Sequence, residues 1–92
     1  MTPSQFRVEG KKLVDFIADY YEGINKYPVL SQVKPWEVYG QLPAEPPATG
    51  ESFDAMLADV EKILMPGITH WQSPGFFAYF PANSSYPSVL AE

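Results

Sequence analysis

The sequence predicts a mainly α chain, in which two to three amphipathic helices are joined by a long, extended, proline-rich segment. Three observations favour this class. Apolar residues recur at helical spacing in two stretches of the 92-residue chain. Half of the 10 prolines fall between residues 26 and 50, where they oppose helix and sheet alike. The aromatic residues, 2 Trp, 6 Tyr and 6 Phe, exceed what so thin a core can bury, which indicates packing against another surface.

The first predicted helix spans about residues 3–24. Thr2 can cap it, Pro3 suits its first position, and Gln5 can complete a capping box. One face is apolar, with residues at steps of seven, four, three and four: Phe6, Leu13, Ile17, Tyr20 and Ile24. Gly10 lies in the gap of this stripe, where it predicts a close approach by another part of the structure.

Residues 26–50 form a predicted extended strap. Because prolines remove backbone donors and hold the preceding residue extended, no helix is expected in this stretch. Eight apolar side chains nevertheless lie along it: Tyr27, Val29, Leu30, Val33, Trp36, Val38, Tyr39 and Leu42. That much apolar surface favours a segment that packs against protein, while the composition leaves a disordered connector open as the alternative.

A second helix is predicted at about residues 52–65. Glu51 and Asp54 place negative charge near its N-terminus, where the helix dipole favours it. Its apolar residues keep the spacing of three and four: Phe53, Met56, Leu57, Val60, Ile63 and Leu64. Pro66 and Gly67 are expected to end the helix.

Residues 70–83, HWQSPGFFAYFPAN, are predicted to form an aromatic loop. After it, Ser84 or Ser85 can cap a third helix with Pro87 in its first turn. A helix that stops at residue 92 has fewer than about three turns and is marginal in water. We therefore expect residues 1–83 to be one segment, and residues 84–92 to be the truncated start of a helix that leads into a further domain.

Charge and composition exclude several classes of function. The chain has 6 basic and 11 acidic residues and a formal charge of −5, with the basic residues scattered, so no nucleic-acid partner is expected. Without cysteine it can form no disulfide, thiolate zinc site or thiol nucleophile. No stretch approaches the roughly 18 apolar residues of a membrane span. We expect a mature, soluble, cytoplasmic protein without a membrane partner.

The sequence contains no recognisable catalytic or cofactor-binding motif. His70 is the single imidazole and forms no recognisable triad or metal motif, so it is interpreted as a structural residue beside Trp71. No lysine has an apolar neighbourhood that would lower its pKa to that of a nucleophile. The glycines are isolated and form no phosphate-binding loop. We therefore expect no catalytic, cofactor-binding or metal-binding residue in this segment.

Four stretches, taken in order, resemble a known family. FRVEGKKLVDFIADYYEGI lies near the start of the chain, FDAMLADVEKIL follows the strap, and MPGITHW leads into QSPGFFAYFPANSSYP. This series closely resembles the N-terminal segment of the group II pyridoxal-phosphate-dependent amino acid decarboxylases, above all the aromatic-L-amino-acid decarboxylases. Tyrosine, tryptophan and histidine decarboxylases are similar as well. The resemblance covers essentially the whole chain.

The resemblance implies an architecture. In that family the N-terminal segment is an appendage that clasps the partner subunit of a homodimer, ahead of a large α/β domain of the aspartate aminotransferase type, which is absent here. It thus implies a homodimer through swapped N-terminal segments and pyridoxal 5'-phosphate as the cofactor of the full-length parent. The family's cofactor lysine follows a histidine far downstream. No His-Lys pair occurs here, so the 92-residue segment alone should be inactive.

By the same resemblance, five residues line the pocket for the aromatic ring of the substrate: Trp71, Tyr79, Phe80, Pro81 and Ala82. Aromatic side chains suit this role because they offer a large apolar contact to a planar ring. Phe76 and Phe77 are expected to pack inward. Several animal members carry a threonine where Ala82 stands, so a hydroxyl that could bind a ring substituent is missing here.

The implied function is that of a lyase. The parent would convert an aromatic L-amino acid to the aromatic amine and CO2, and this segment would supply dimer contacts and an apolar pocket wall. Two alternatives stay open: a free-standing helical module that self-associates or binds a protein without catalysis, and the N-terminus of a histidine decarboxylase. Acidic substrates are disfavoured, because the aromatic lining has no cation for a second carboxylate. The preferred amino acid, and amine versus aldehyde as the product, are open.

Overall fold

A computed structural model describes residues 1–80, 82 and 84–92. The described residues form four α-helices: α1 (Pro3–Glu22), α2 (Glu37–Gln41), α3 (Phe53–Asp59) and α4 (Tyr86–Ala91). A 3₁₀ turn, Ile24–Lys26, follows α1, and α3 continues into a π-helical turn, Val60–Leu64, and a 3₁₀ turn, Met65–Gly67. These residues contain no β-strand, so the predicted helical class is confirmed. None of their helices combines the length and apolarity that a membrane crossing requires.

Helix α1 begins with the predicted capping box. The amide of Gln5 donates to Thr2 Oγ1 at 3.2 Å, while the amide of Thr2 donates to Gln5 Oε1 at 2.7 Å. These bonds pair two backbone donors that a helix start leaves without intrahelical partners. At the other end the amide of Gly23 donates to Asp19 O at 2.8 Å. Gly23 thus ends α1, close to the predicted end near residue 24.

The strap, residues 26–50, departs from its prediction. Helix α2 forms inside it, so the expectation of an extended segment without a helix is wrong. The seven residues between Pro35 and Pro43 contain no proline, which is enough for one helical turn. Glu37 supports that turn, because its Oε2 accepts a hydrogen bond from the amide of Lys34 at 2.9 Å. Trp36 precedes it in the left-handed region, with φ of 70°.

The strap lies close to the second half of its own chain. Ser31 Oγ donates to the carbonyl of Pro66 at 2.8 Å. A Cβ placed on Gly67 would lie 2.8 Å from Cγ2 of Val38, and one on Gly75 would lie 3.1 Å from Cγ2 of Val29. Both distances are shorter than ordinary van der Waals contact. The two glycines therefore let the strap approach more closely than any side chain would allow.

One lysine connects α1 with α3. Lys12 Nζ lies 2.6 Å from Asp54 Oδ1 and 2.8 Å from Glu9 Oε2. The hydrogen bonds to Asp54 and then to Glu9 raise the pKa of Lys12 above 10.5. Ser52 caps the same end of α3, because its Oγ accepts from the amide of Ala55 at 3.2 Å. The start of α3 is therefore fixed both locally and to α1.

Helix α4 packs against α1 through tyrosines. Ser85 caps α4 and exchanges hydrogen bonds with Ser88, whose amide lies 3.4 Å from Ser85 Oγ. The hydroxyls of Tyr21 and Ser84 are 2.7 Å apart, and the rings of Tyr21 and Tyr86 meet edge to face at 5.8 Å. The structure thus selects Ser85 as the cap. The division of the chain at residues 83 and 84 stays a prediction.

The core is small for the length of the chain. Among the described residues, the buried apolar side chains are Ile24 and Met65. The radius of gyration is 15.4 Å, whereas a compact domain of this length has about 12 Å. In the first half of α1, Phe6 is 68% exposed, and no atom lies within 4 Å of a Cβ placed on Gly10. The close approach predicted at Gly10 is therefore not made by the described part of this chain.

Candidate functional site

His70 is the most deeply buried side chain of the candidate site, with 2% of its surface exposed. Its Nδ1 lies 3.0 Å from the hydroxyl of Tyr20 on α1, and its ring centroid lies 4.8 Å from that of Tyr27 on the strap. Its amide donates to the carbonyl of Val29 at 3.0 Å. His70, the first residue of the aromatic loop, thus contacts both α1 and the strap.

Burial sets the charge state of this contact. Desolvation lowers the pKa of His70 below 6.5 and, with smaller contributions from Tyr21 and Tyr27, raises the pKa of Tyr20 above 10. Both groups are therefore neutral near pH 7. A neutral imidazole can donate or accept at Nδ1, so the hydrogen bond to Tyr20 forms in either tautomer.

Tight turns follow His70 in the aromatic segment, which we define as residues 70–80. The amide of Ser73 donates to the carbonyl of His70 at 3.0 Å, and the amide of Phe76 donates to the carbonyl of Ser73 at 3.0 Å. Ser73 is buried, and its Oγ also accepts from the amide of Gly75 at 3.2 Å. Two consecutive turns therefore reverse the chain between Trp71 and Phe76.

These turns assemble an aromatic cluster, defined as Trp71, Phe76 and Tyr79. The ring of Trp71 stacks on Phe76 at 5.3 Å and on Tyr79 at 5.6 Å, with interplanar angles of 15° and 22°. Tyr79 has φ of 58°, a left-handed conformation that costs a non-glycine residue about 1–2 kcal/mol. Trp71 is 49% and Tyr79 is 77% exposed, so the cluster presents aromatic surface outward.

The structure does not bring together all five residues that were predicted to line the substrate pocket. Trp71 and Tyr79 come together, whereas Phe80 is fully exposed. Ala82 is exposed, and its carbonyl accepts a hydrogen bond from Gln72 Nε2 at 3.5 Å. Pro81 lies outside the described residues. Their common role as a substrate wall therefore stays a prediction.

Sequence reasoning misplaced the two phenylalanines of the segment. Phe76 was expected to pack inward, but it is half-buried and joins the aromatic cluster. The available signal was the Pro74–Gly75 pair, which is typical of a turn that returns the next residue toward Trp71. The expectation that Phe77 packs inward is wrong, because its side chain is almost fully exposed.

A separate apolar groove lies between α1 and α4. It is open to solvent, has a volume of about 570 Å³, and is lined by Val14, Ile17, Ala18, Tyr21, Glu22, Tyr86, Val89 and Leu90. Its titratable lining residues are Tyr21, Glu22 and Tyr86, and the lining contains no histidine or lysine. Such a surface suits packing against protein and gives no basis for a reaction.

The lysines of this chain do not fit a covalently held aldehyde cofactor. A lysine that forms a Schiff base must lose its proton readily, which requires a lowered pKa. The pKa of Lys12 is shifted in the opposite direction by Asp54 and Glu9. The other four lysines are exposed: Lys11, Lys26, Lys34 and Lys62. Across residues 1–80, 82 and 84–92 no group of His, Asp and Glu side chains could hold a metal ion either.

Known proteins resemble this chain over nearly its whole length. Residues 35–92 match the pyridoxal-dependent decarboxylase conserved domain. The aromatic-L-amino-acid decarboxylase of Bos taurus is 50% identical over all 92 residues, which correspond to 19% of that protein. The crystal structure of Rhodiola rosea 4-hydroxyphenylacetaldehyde synthase matches 98% of this chain and 19% of that chain, with a TM-score of 0.92 and 47% identity.

A solved complex extends the same similarity. Catharanthus roseus tryptophan decarboxylase in complex with L-tryptophan matches 98% of this chain and 19% of that chain, with a TM-score of 0.90 and 40% identity. The chain thus spans about a fifth of the length of the relatives that it matches, and the matched part is their N-terminal region. Since the conserved decarboxylase domain covers more than half of its residues, the chain belongs to the pyridoxal-dependent decarboxylase family.

Proposed function

We propose that this chain is the N-terminal segment of a pyridoxal-phosphate-dependent aromatic-L-amino-acid decarboxylase, whose full-length form converts an aromatic L-amino acid to an aromatic amine and CO2. The observation that carries the proposal is the outward-facing aromatic cluster in a chain 50% identical to the aromatic-L-amino-acid decarboxylase of Bos taurus. The pyridoxal cofactor supplies the electron sink for loss of CO2. No lysine of this chain suits the cofactor, so the segment contributes binding surface, and the catalytic groups belong to the remainder of the parent.

The binding surface is the wall formed by Trp71, Tyr79, Phe80, Pro81 and Ala82. Support comes from the stacked rings of Trp71 and Tyr79, which are 49% and 77% exposed and can contact a planar substrate. The strained φ of Tyr79 is a second support, because strain persists where the surrounding structure requires it and is concentrated at functional sites. Phe76 joins this wall through its stack with Trp71.

Substitution of the wall tests this role in the full-length protein. For Tyr79→Ala and for Phe80→Ala, we expect kcat/KM for an aromatic amino acid to fall about 2- to 12-fold, the equivalent of about 0.5–1.5 kcal/mol for one ring pair. The visible absorbance of the bound cofactor should persist, since no residue of this segment is assigned to hold it. Tyr39→Ala, which removes an exposed ring from α2, is the matched control and should leave kcat/KM unchanged. Loss of cofactor binding in the Tyr79 variant would contradict the wall role.

A homodimer through swapped N-terminal segments is the second part of the proposal. The chain exposes 7650 Å², whereas a folded monomer of its 10.3 kDa mass exposes about 5,400 Å². Exposed apolar side chains lie along α1, among them Phe6, Leu13 and Val14. Apolar surface of this extent is characteristic of interfaces between subunits that do not exist alone. A second copy that covers α1 would also supply the close approach at Gly10.

An aldehyde-forming reaction is the second candidate activity. It is favoured by the similarity to the Rhodiola rosea protein, whose name describes it as a 4-hydroxyphenylacetaldehyde synthase. Incubating the full-length protein with Tyr, Trp, Dopa, Phe and His, and identifying amine or aldehyde for each, distinguishes the candidates. Turnover of His alone would favour a histidine decarboxylase. The free-standing interaction module is not favoured, because the chain carries the decarboxylase domain match.

The location of the parent is an open part of the proposal. We propose the cytoplasm, in line with the acidic, cysteine-free composition of this segment. Fractionation of source cells with an antibody against the full-length protein is the test, and enrichment in a secreted or organellar fraction would contradict it.

A further inference from the structure

His70 joins the start of the aromatic segment to α1 and to the strap, both of which lie far from it in sequence. Its imidazole is hydrogen bonded to Tyr20 of α1 at 3.0 Å, across 50 positions. The same ring packs against Tyr27 of the strap at 4.8 Å. Its backbone amide donates to the carbonyl of Val29 at 3.0 Å. The side chain is thus held on one side by a hydroxyl and on another by a ring, while the backbone is held by the strap.

The residue after this junction is Trp71, the central ring of the aromatic cluster. Trp71 stacks on both Phe76 and Tyr79, whereas Phe76 and Tyr79 lie 6.4 Å from each other. The position of Trp71 therefore decides where the other two rings pack. A backbone fixed at His70 leaves Trp71 few directions in which to move. The contacts of His70 with α1 and the strap are therefore sufficient to position the cluster relative to α1.

We propose that His70 is a positioning residue, whose hydrogen bond to Tyr20 and packing on Tyr27 fix the start of the aromatic segment and so set the position of the substrate-facing cluster. The inference rests on the proposed function in one respect, namely that the cluster contacts an aromatic substrate. The anchoring of the segment itself does not depend on that function. His70 touches none of the reacting atoms in this proposal and acts through Trp71.

Three substitutions in the full-length protein separate anchoring from general stability. Tyr20→Phe removes the hydroxyl and keeps the ring. His70→Leu removes both hydrogen-bonding nitrogens. His70→Asn places a polar group near the position of Nδ1 and serves as the conservative variant. Tyr39→Phe removes a hydroxyl from an exposed tyrosine of α2 and is the matched control.

The first readout is hydrogen exchange of the amides in residues 70–80, which requires no activity. The amides of His70, Ser73 and Phe76 are hydrogen bonded and report on the segment directly. For Tyr20→Phe and His70→Leu we expect exchange in this segment to accelerate about fivefold or more, while α3 and α4 change less. His70→Asn should restore slow exchange in part, and Tyr39→Phe should match the wild type.

The second readout is the division between KM and kcat for the best aromatic amino acid. A displaced wall weakens binding of the ring, so Tyr20→Phe should raise KM about threefold or more with a smaller change in kcat. If His70→Leu does not fold, Tyr20→Phe and His70→Asn decide the outcome.

Three results would overturn the proposal. One is unchanged exchange of residues 70–80 in both Tyr20→Phe and His70→Leu. Another is an equal acceleration across all four helices, which would make His70 merely a part of the core. The third is a loosened segment with unchanged KM in an active enzyme. If the wild-type parent turns over no aromatic amino acid, the proposed function fails, and exchange alone then decides whether His70 anchors the segment.

Discussion

A buried imidazole makes the stability of the aromatic segment depend on pH. Burial holds the pKa of His70 below its usual value of 6.5, whereas the unfolded chain titrates near that value. Below about pH 6.5 the open form therefore binds a proton that the closed form does not. The free energy of opening should fall as the pH decreases from about 6.5 to the lowered pKa of His70, and it should level off beyond that.

Native-state hydrogen exchange of residues 70–80 between about pH 5 and pH 8, corrected for intrinsic exchange, measures this slope. His70→Asn carries no titrating ring and should flatten it. Equal slopes in the wild type and in His70→Asn would show that the imidazole does not cause the pH dependence of opening. The ring contacts the phenols of Tyr20 and Tyr27, and burial raises the pKa of Tyr20 above 10, outside this range.

The positions of single residues could be predicted from the sequence only where their partners are near in the chain or where the family resemblance had grouped them. The capping pair Thr2 and Gln5 is an example of the first kind. Trp71 and Tyr79 were placed by resemblance, and they do lie together. The partner of His70 lies 50 positions away on α1, and no local pattern marks it. For this reason the sequence suggested only a structural histidine beside Trp71.

The helices follow local sequence signals such as capping residues and prolines. The prediction failed at α2, where the proline density was taken over a stretch longer than the helix. Ser52 and Ser85 cap α3 and α4 because a side-chain oxygen needs only the next turn to find a donor. Helix α2 was missed because proline density was counted over the whole strap. Between Pro35 and Pro43 the chain has room for one turn, and a count over that stretch alone would have allowed it.

The contact between α2 and the 3₁₀ turn Met65–Gly67 can be tested at Gly67. Gly67→Ala would place a Cβ 2.8 Å from Cγ2 of Val38, and valine has few ways to move aside. We expect this variant to lose about 1–3 kcal/mol of unfolding free energy. Adding Val38→Ala removes the clashing methyl, so the double variant should lose less than the two single losses together.

Urea unfolding followed by circular dichroism measures all three variants. Gly40→Ala in α2 is the control, because no atom lies within 4 Å of its Cβ position and alanine favours helix by up to about 1 kcal/mol. It should be neutral or stabilising. Additive losses in the double variant would mean that Gly67 and Val38 do not meet in solution.

At the scale of the whole molecule, the structure is a set of connected helices that does not enclose its own apolar surface. The radius of gyration of 15.4 Å and the exposed area of 7650 Å² both exceed what a compact chain of this length shows. The sequence indicated this imbalance through its 14 aromatic residues, since composition limits how much surface a thin core can cover. It could not indicate which faces remain open, because that depends on how the strap and α3 pack.

Because α1 exposes apolar side chains, we expect the 92-residue chain to self-associate. The affinity should depend on how much of this apolar surface a second copy covers. Phe6 is 68% exposed on this face, so Phe6→Asp should remove apolar area and place a charge in the interface. We expect sedimentation velocity to show dimers or larger species for the wild type, and weaker association by at least about tenfold, or about 1.4 kcal/mol, for Phe6→Asp. Ser4→Asp adds the same charge to the same helix without removing apolar surface, and it should associate like the wild type. A wild-type chain that remains monomeric at high concentration would mean that α1 is covered by the rest of the parent subunit and not by a second copy.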